Sequence, residues 1–267
     1  MTDFFDKTQK LYIEKKDGIG RLVLNRAEKH NAITEKMWQD FPAYLNALDQ
    51  DEDVRVILIT SAAPKAFSAG ADIVEFGEIA TDPERRERNR VGIRDAQRTL
   101  ARLKKPTIAM ISGVCIGGGC GVSLHCDFRF AAAGSKFGIT PAKLGLVYSL
   151  NDTKHLMDLV GPSKAKSILF TGRMVSADEA LSIGLIDELF PVEKLEEETL
   201  AFATEMVAVS QYSIQGSKRV IRLILDGQSD DDTQTSRWFT DAHDEIDNAE
   251  GVKAFMEKRK PNFKWNG

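Results

Sequence analysis

Two short segments constrain this chain more than anything else in it: FSAGADI, from Phe67 to Ile73, and SGVCIGGGCG, from Ser112 to Gly121. Each follows a β-branched, apolar run and turns on small residues, which leaves its backbone N–H groups open to a ligand. Brought together, two such turns could hold one oxyanion, and Ala71 and Gly118 are the residues whose N–H groups fall in place for it. A carbonyl oxygen gaining charge is best stabilised by fixed backbone donors, each worth about 2.7–4 kcal/mol of barrier. If the second turn also starts a helix, the helix dipole adds to the effect.

The bulk properties narrow the class. A chain of 267 residues is long enough for one large or two modest domains with a sizeable core. With 42% apolar and 28% charged residues it reads as an ordinary globular protein, which excludes disordered and fibrous classes. A net charge of −4 argues against a nucleic-acid partner held by phosphate contacts. The one basic run, ERRERNR from Glu84 to Arg90, alternates with acids and reads as a solvated helix face.

No run approaches the roughly 18 apolar residues of a membrane helix, and MTDFFDKTQK is too acidic and polar for a signal or transit peptide. The expectation is a cytoplasmic protein with no membrane partner. Cys115, Cys120 and Cys126 are odd in number and crowded into one segment, so they read as buried packing residues. With only His125 nearby, no metal is expected.

Patterning predicts an α/β fold. LYIEKK and IGRLVLN flank Asp17-Gly18, an antiparallel hairpin signal. Thr34 caps a helix whose apolar stripe is Met37, Phe41, Leu45 and Leu48, with Pro42 expected to interrupt and bend it. VRVILIT follows as a buried strand, then a charged helix over about 84–103, then the strands TIAMIS, FRFAAA and SKFGI. Strand, helix, strand is the rhythm of α/β crossovers. From Asn151 the chain turns helical, with Pro162 opening one helix, a Ser176/Glu179 capping box with Gly184 as C-cap on another, and one short strand, LIDELF. The remainder, from about 192 to 260, reads as three or four helices.

Six segments in register, LNRAEKHNAI, FSAGADI, SGVCIGGGCG, FGITPAKLGL, GLIDELF and AFMEKRKPNF, resemble the crotonase (enoyl-CoA hydratase/isomerase) superfamily over nearly the whole chain. The resemblance implies a crotonase-like spiral of ββα turns over 1–190 carrying an acyl-CoA site, and a C-terminal helical trimerisation region over 191–267. It also implies a homotrimer or dimer of trimers, and an acyl-CoA thioester substrate whose coenzyme A is part of the substrate rather than a cofactor. Ala71 and Gly118 match the family's oxyanion hole. Lys29, His30, Ala32, Ala69, Gly70, Asp72, Ile73 and Gly117 match its coenzyme A and substrate positions, and Phe255 and Lys258 match the pair that reaches a neighbouring subunit's coenzyme A.

The resemblance also exposes a departure. The family's two catalytic glutamates match Gly121 and Pro141 here, and neither residue exchanges a proton, so standard hydration is not expected. What remains is an acyl-CoA lyase or isomerase that stabilises a thioester enolate with other proton chemistry. LGLVYSLNDTKHL is similar to the tyrosine-bearing segment of methylmalonyl-CoA decarboxylase, which makes decarboxylation at Tyr148 the alternative, although that enzyme's histidine corresponds to Ala71. A non-catalytic acyl-CoA binder is a further alternative. Thr140, read as a hydroxyl lining the pocket, joins Asp152, His125 and Ser149 as lesser candidates. Asp152 and His125 also have plain structural readings, as a charge at a helix N-terminus and a satisfied helix histidine.

Overall fold

The computed structural model describes residues 4–265; the first three residues of MTDFFDKTQK lie outside them. A six-stranded sheet is laid down first. β1 (Leu11–Lys16) and β2 (Ile19–Leu24) form the expected antiparallel hairpin, Leu11 facing Leu24 and Lys16 facing Ile19. α1 (Glu35–Gln50) and β3 (Val56–Ser61) follow, with β3 parallel to β2.

β4 (Ala66–Ser68), α2 (Ile73–Thr81) and α3 (Pro83–Ala101) come next, then β5 (Thr107–Ile111), β6 (Val114–Ile116), α4 (Gly118–Leu124), β7 (Phe128–Ala132) and β8 (Lys136–Gly138). The chain continues through α5 (Leu150–Thr171), β9 (Met174–Ser176), α6 (Ala177–Ser182) and β10 (Glu188–Phe190). It closes with α7 (Leu195–Val207), α8 (Gln211–Leu225), α9 (Thr233–Asp241) and α10 (Ile246–Glu257). The first sheet has the order β1-β2-β3-β5-β7-β10 and a second, of four strands, the order β4-β6-β8-β9.

Alternation along β3 shows how the layers are built. Ile57 and Ile59 join the larger core with Met37, Phe41, Leu45 and Leu48 of α1, while Val56 and Leu58 face the opposite way, toward Leu195 and Ala203 of α7. A strand covered on both faces needs a continuous apolar run, and VILIT supplies one. On the α7 side Phe202 stacks at 5.1 Å on both Phe128 and Phe130.

Several local expectations meet corrections. α1 runs unbroken through Pro42, because six buried residues along it hold the helix against the lost hydrogen bond, a penalty of about 3 kcal/mol. The LIDELF strand shortens to Glu188–Phe190. At α6 the Ser176 side chain accepts from the Glu179 N–H as expected, but the Glu179 carboxylate binds Arg173 at 2.7 Å, so the box forms only by half. At Gly161, with φ of 72°, α5 breaks its helical path and restarts at Pro162. All three cysteines are buried free thiols. Among the described residues no helix is long and apolar enough to cross a membrane.

Candidate active site

The second sheet explains why the two turns meet. β4 and β6 are parallel neighbours, Ala66 facing Val114 and Ser68 facing Cys115, so the turns after both strands leave at the same edge. β8 is parallel to β6 on its other side, which delivers Thr140 and Pro141 to that edge as well. Ligand sites of parallel sheets lie outside these carboxyl ends.

The approach of the turns is close. A Cβ placed on Gly70 would stand 2.8 Å from the Ile116 carbonyl oxygen and 3.4 Å from the Gly118 nitrogen, and the φ of Gly70 is +94°, so both space and conformation require glycine there. A Cβ on Gly118 would stand 3.9 Å from the Ala71 nitrogen and 2.9 Å from Cζ2 of the buried Trp38. Gly117 is anchored by its N–H to the Gly138 carbonyl at 2.8 Å, and its own carbonyl accepts from Gly121. Gly118 is the first residue of α4, so its N–H has no partner within the helix. Among the described residues no acceptor is found for the Ala71 or the Gly118 N–H. Ala71 is exposed and Gly118 half-buried, so both donors can be reached from outside.

The first loop is tied onto this edge. Ile33 pairs with Ala71, and the Ala69 N–H donates to the His30 carbonyl at 2.9 Å. Asn31 Nδ2 donates to the Ala66 carbonyl at 2.7 Å, and Ser68 Oγ donates to the Asn31 carbonyl at 2.8 Å. Lys29 and His30 are exposed and Ala32 is buried. Asp72 caps α2 through the Val74 and Glu75 N–H groups and is held by Arg26 at 2.6 Å, which lowers its pKa. Ile73 is 69% exposed beside it. Phe255 and Lys258 are not drawn into this cluster: the hydrogen bonds of α10 run instead to the tail, from Lys264 and Trp265 to Asp247 and from Arg259 to Glu250.

One turn along α4, Gly121 faces a buried polar group. A Cβ there would stand 2.5 Å from Gln97 Nε2, 3.2 Å from Asp152 Oδ1 and 3.6 Å from the Tyr148 hydroxyl. Asp152 comes from the first turn of α5, where Ser149 caps its N–H and donates to its Oδ2 at 2.6 Å. Asp152 Oδ1 and the Tyr148 hydroxyl have no hydrogen-bond partner among the described residues. Such unsatisfied buried groups cost about 1–3 kcal/mol each.

Burial pushes the Asp152 carboxyl up to about 6, against the easing effect of Ser149 and of the nearby Gln97 carboxamide. Burial also raises the Tyr148 hydroxyl well above its usual range. His125 lies 3.8 Å from Asp152, but burial and then the charge of His155 pull it down to about 3. It is therefore neutral, and its contact with Asp152 is no ion pair. Its Nδ1 lies 2.6 Å from the Gly121 carbonyl and its Nε2 2.7 Å from Asn151 Nδ2, partners that fit the tautomer protonated on Nδ1.

Sequence reasoning missed Gln97, hidden in a helix read only as charged; the stripe Gly92, Ala96, Gln97 and Leu100, buried in α3, was the available signal. Asp152 was weighed only as a lesser candidate. A stability consequence follows from its raised pKa. In the folded protein this carboxyl resists ionising, so its favourable contribution is complete below its ordinary value of 3.8 and is lost as pH rises through about 6. The difference amounts to about 3 kcal/mol at neutral pH. Asp152→Asn is therefore expected to be more stable than the parent in urea denaturation at pH 8, with that gain absent at pH 4. A loss of stability at pH 8 would count against the assignment.

The comparisons with known proteins agree with this architecture. The family model described as Enoyl-CoA hydratase/isomerase matches residues 14–266. A crotonyl-CoA hydratase of Syntrophomonas wolfei is 32% identical over 96% of this chain and 98% of its own length. A short-chain-enoyl-CoA hydratase of Clostridium acetobutylicum is also 32% identical, over 93% and 95%. Among solved structures, a putative enoyl-CoA hydratase/isomerase family protein from Hyphomonas neptunium superposes with a TM-score of 0.94 at 37% identity, covering 97% of this chain and 99% of that one. An acyl-CoA enzyme on a mixed α/β fold is the class these features define. The chain belongs to the enoyl-CoA hydratase/isomerase family.

Proposed function

We propose that this enzyme binds an acyl-CoA thioester with its carbonyl oxygen between the Ala71 and Gly118 N–H groups and stabilises the enolate formed beside it. The observation that carries the reading is the convergence of two unspent backbone donors at the shared edge of β4 and β6. Donors fixed in this way act more strongly on the enolate than on the ground-state carbonyl, which is the condition for lowering a barrier. Coenzyme A enters as part of the substrate, along Lys29, His30 and Ala32 on one side and Ala69, Gly70, Asp72 and Ile73 on the other. Gly117, Gly121, Thr140 and Pro141 flank the acyl group.

Gly121 and Pro141 offer no proton to exchange, so hydration by a glutamate pair at these two positions is closed to this chain. Decarboxylation with Tyr148 holding a substrate carboxylate fares poorly too. The Asp152 carboxylate already shares the buried space around that hydroxyl, and a second negative charge brought there would be repelled. Proton transfer at the carbon next to the thioester is the reaction class left. Ile221 and Ile224 of α8, Phe239 of α9 and Phe255 of α10 are all exposed apolar side chains of the C-terminal helices, which supports the reading of a homotrimer.

Incubation with crotonyl-CoA, a 3-enoyl-CoA and a malonyl-type CoA, with calorimetry in parallel, tests the proposal. Turnover of the 3-enoyl-CoA is expected. Binding without any turnover would leave only an acyl-CoA binder, and the absence of both would remove the reading.

A further inference from the structure

The buried group beside Gly121 is more than a packing accident. Two polar atoms, Asp152 Oδ1 and the Tyr148 hydroxyl, lack partners and lie within 3.2 and 3.6 Å of one point, the place where a side chain on Gly121 would begin. Gly121 stands one turn from Gly118 on α4, and residues three apart on a helix are neighbours about 5–6 Å apart. The unpartnered carboxylate oxygen is thus within a substrate's length of the paired N–H donors, with Gln97 Nε2 filling the point where a side chain on Gly121 would begin.

We infer that Asp152 is the proton-transfer residue of this site, taking and returning the proton on the carbon next to the thioester, with the Tyr148 hydroxyl beside it and Gln97 as a positioning residue. The inference rests on the thioester reading above and adds to it the group that moves the proton. In the forward step the Cα–H bond breaks, its electron pair delocalises onto the thioester oxygen between Ala71 and Gly118, and the proton bonds to Asp152 Oδ1. In the return step that O–H bond breaks and the proton bonds to carbon: Cα for simple exchange, Cγ of a 3-enoyl chain for double-bond migration. One carboxylate closes double-bond migration without any co-reactant; for exchange at Cα the Asp152 O–H first trades its proton for one from solvent water before the return step. The substrate class is therefore a thioester with an acidic α-CH, a 3-enoyl-CoA first among them.

The surroundings suit a base that ionises near neutrality. Ser149 holds Oδ2, Gln97 approaches from α3, and among the described residues no cation faces the carboxylate directly. His125 from the end of α4 and His155 from α5 are both held below the ordinary histidine value by burial, and Arg222 of α8 is spent on His155 at 3.1 Å. Asp152 is then the group that changes charge as pH passes about 6.

The test is α-proton exchange of a 3-enoyl-CoA in deuterated water, followed by proton NMR, with thioester affinity measured alongside. The unsubstituted protein is expected to exchange, at a rate that climbs as pH rises through about 6 and levels above it. Asp152→Asn is expected to lose at least a hundredfold in exchange rate while keeping thioester affinity within about threefold. Exchange in Asp152→Asn within tenfold of the parent overturns the proposal, and so does a parent rate that is flat from pH 5 to 8, a readout that needs no variant to fold. Binding without exchange by the unsubstituted protein overturns it while leaving the thioester site standing; failure to bind any acyl-CoA overturns both.

Discussion

Gly118→Pro is expected to lower kcat by two to three orders of magnitude. Position 118 is the first residue of α4, where proline fits the helix and the lost N–H had no helical partner to begin with. On the proposed reading, proline removes one of two donors aimed at the developing oxyanion, a loss of about 2.7–4 kcal/mol of transition-state stabilisation. One steric effect needs separating from this, because any Cβ at 118 meets Trp38 Cζ2 at 2.9 Å. Gly118→Ala makes the same contact and keeps the N–H. Steady-state kinetics on the two variants should therefore show alanine far more active than proline; equal rates would assign the loss to the indole and not to the donor.

The second large effect concerns the frame that brings the donors together. Gly113 precedes β6 with φ of +71°, and a Cβ there would stand 2.0 Å from the Lys65 carbonyl oxygen, just ahead of β4. The clashing atoms, of Lys65 and Ala66, are all backbone, so relief requires β4 and β6 to separate, and the turns bearing Ala71 and Gly118 would move with them. Gly113→Ala is expected to destabilise the fold by about 4 kcal/mol or more, read as the shift of the urea midpoint. Gly134→Ala is the control, since Gly134 shares a positive φ of +81° but has nothing within 4 Å of its Cβ position. A midpoint shift at Gly113 no larger than the control's would mean that the strands part easily.

Much of the candidate site's first half was legible because it is written in contiguous residues. FSAGADI and SGVCIGGGCG announce tight turns by composition, and the cap at Thr34, whose hydroxyl accepts the Met37 N–H at 3.2 Å, is equally local. The second sheet was harder to read: β4, β6, β8 and β9 have three residues each, too few for a period of two to declare itself. Pro42 misled because intrinsic propensity was weighed without the six buried side chains that hold α1 together.

The buried polar group beside Gly121 was legible only in pieces. Gln97 comes from one segment and Tyr148 and Asp152 from another, and nothing in the spacing between the two predicts that they meet. The clue was negative: a glycine stands where the resemblance implies a glutamate, and the vacated space is filled from α3 and α5 instead. A structure answers what fills such a gap because it reports which distant atoms surround the missing side chain.

If the Ala71 and Gly118 N–H groups grip a thioester oxygen, the frequency of that carbonyl bond reports it directly. An isotope-edited infrared difference spectrum of a carbonyl-labelled acyl-CoA should show the stretch shifted to lower frequency on binding to the unsubstituted protein, as hydrogen bonding polarises the bond. In Gly118→Pro most of that shift should vanish. A bound carbonyl at its frequency in water, or a shift that survives the substitution undiminished, would contradict that grip.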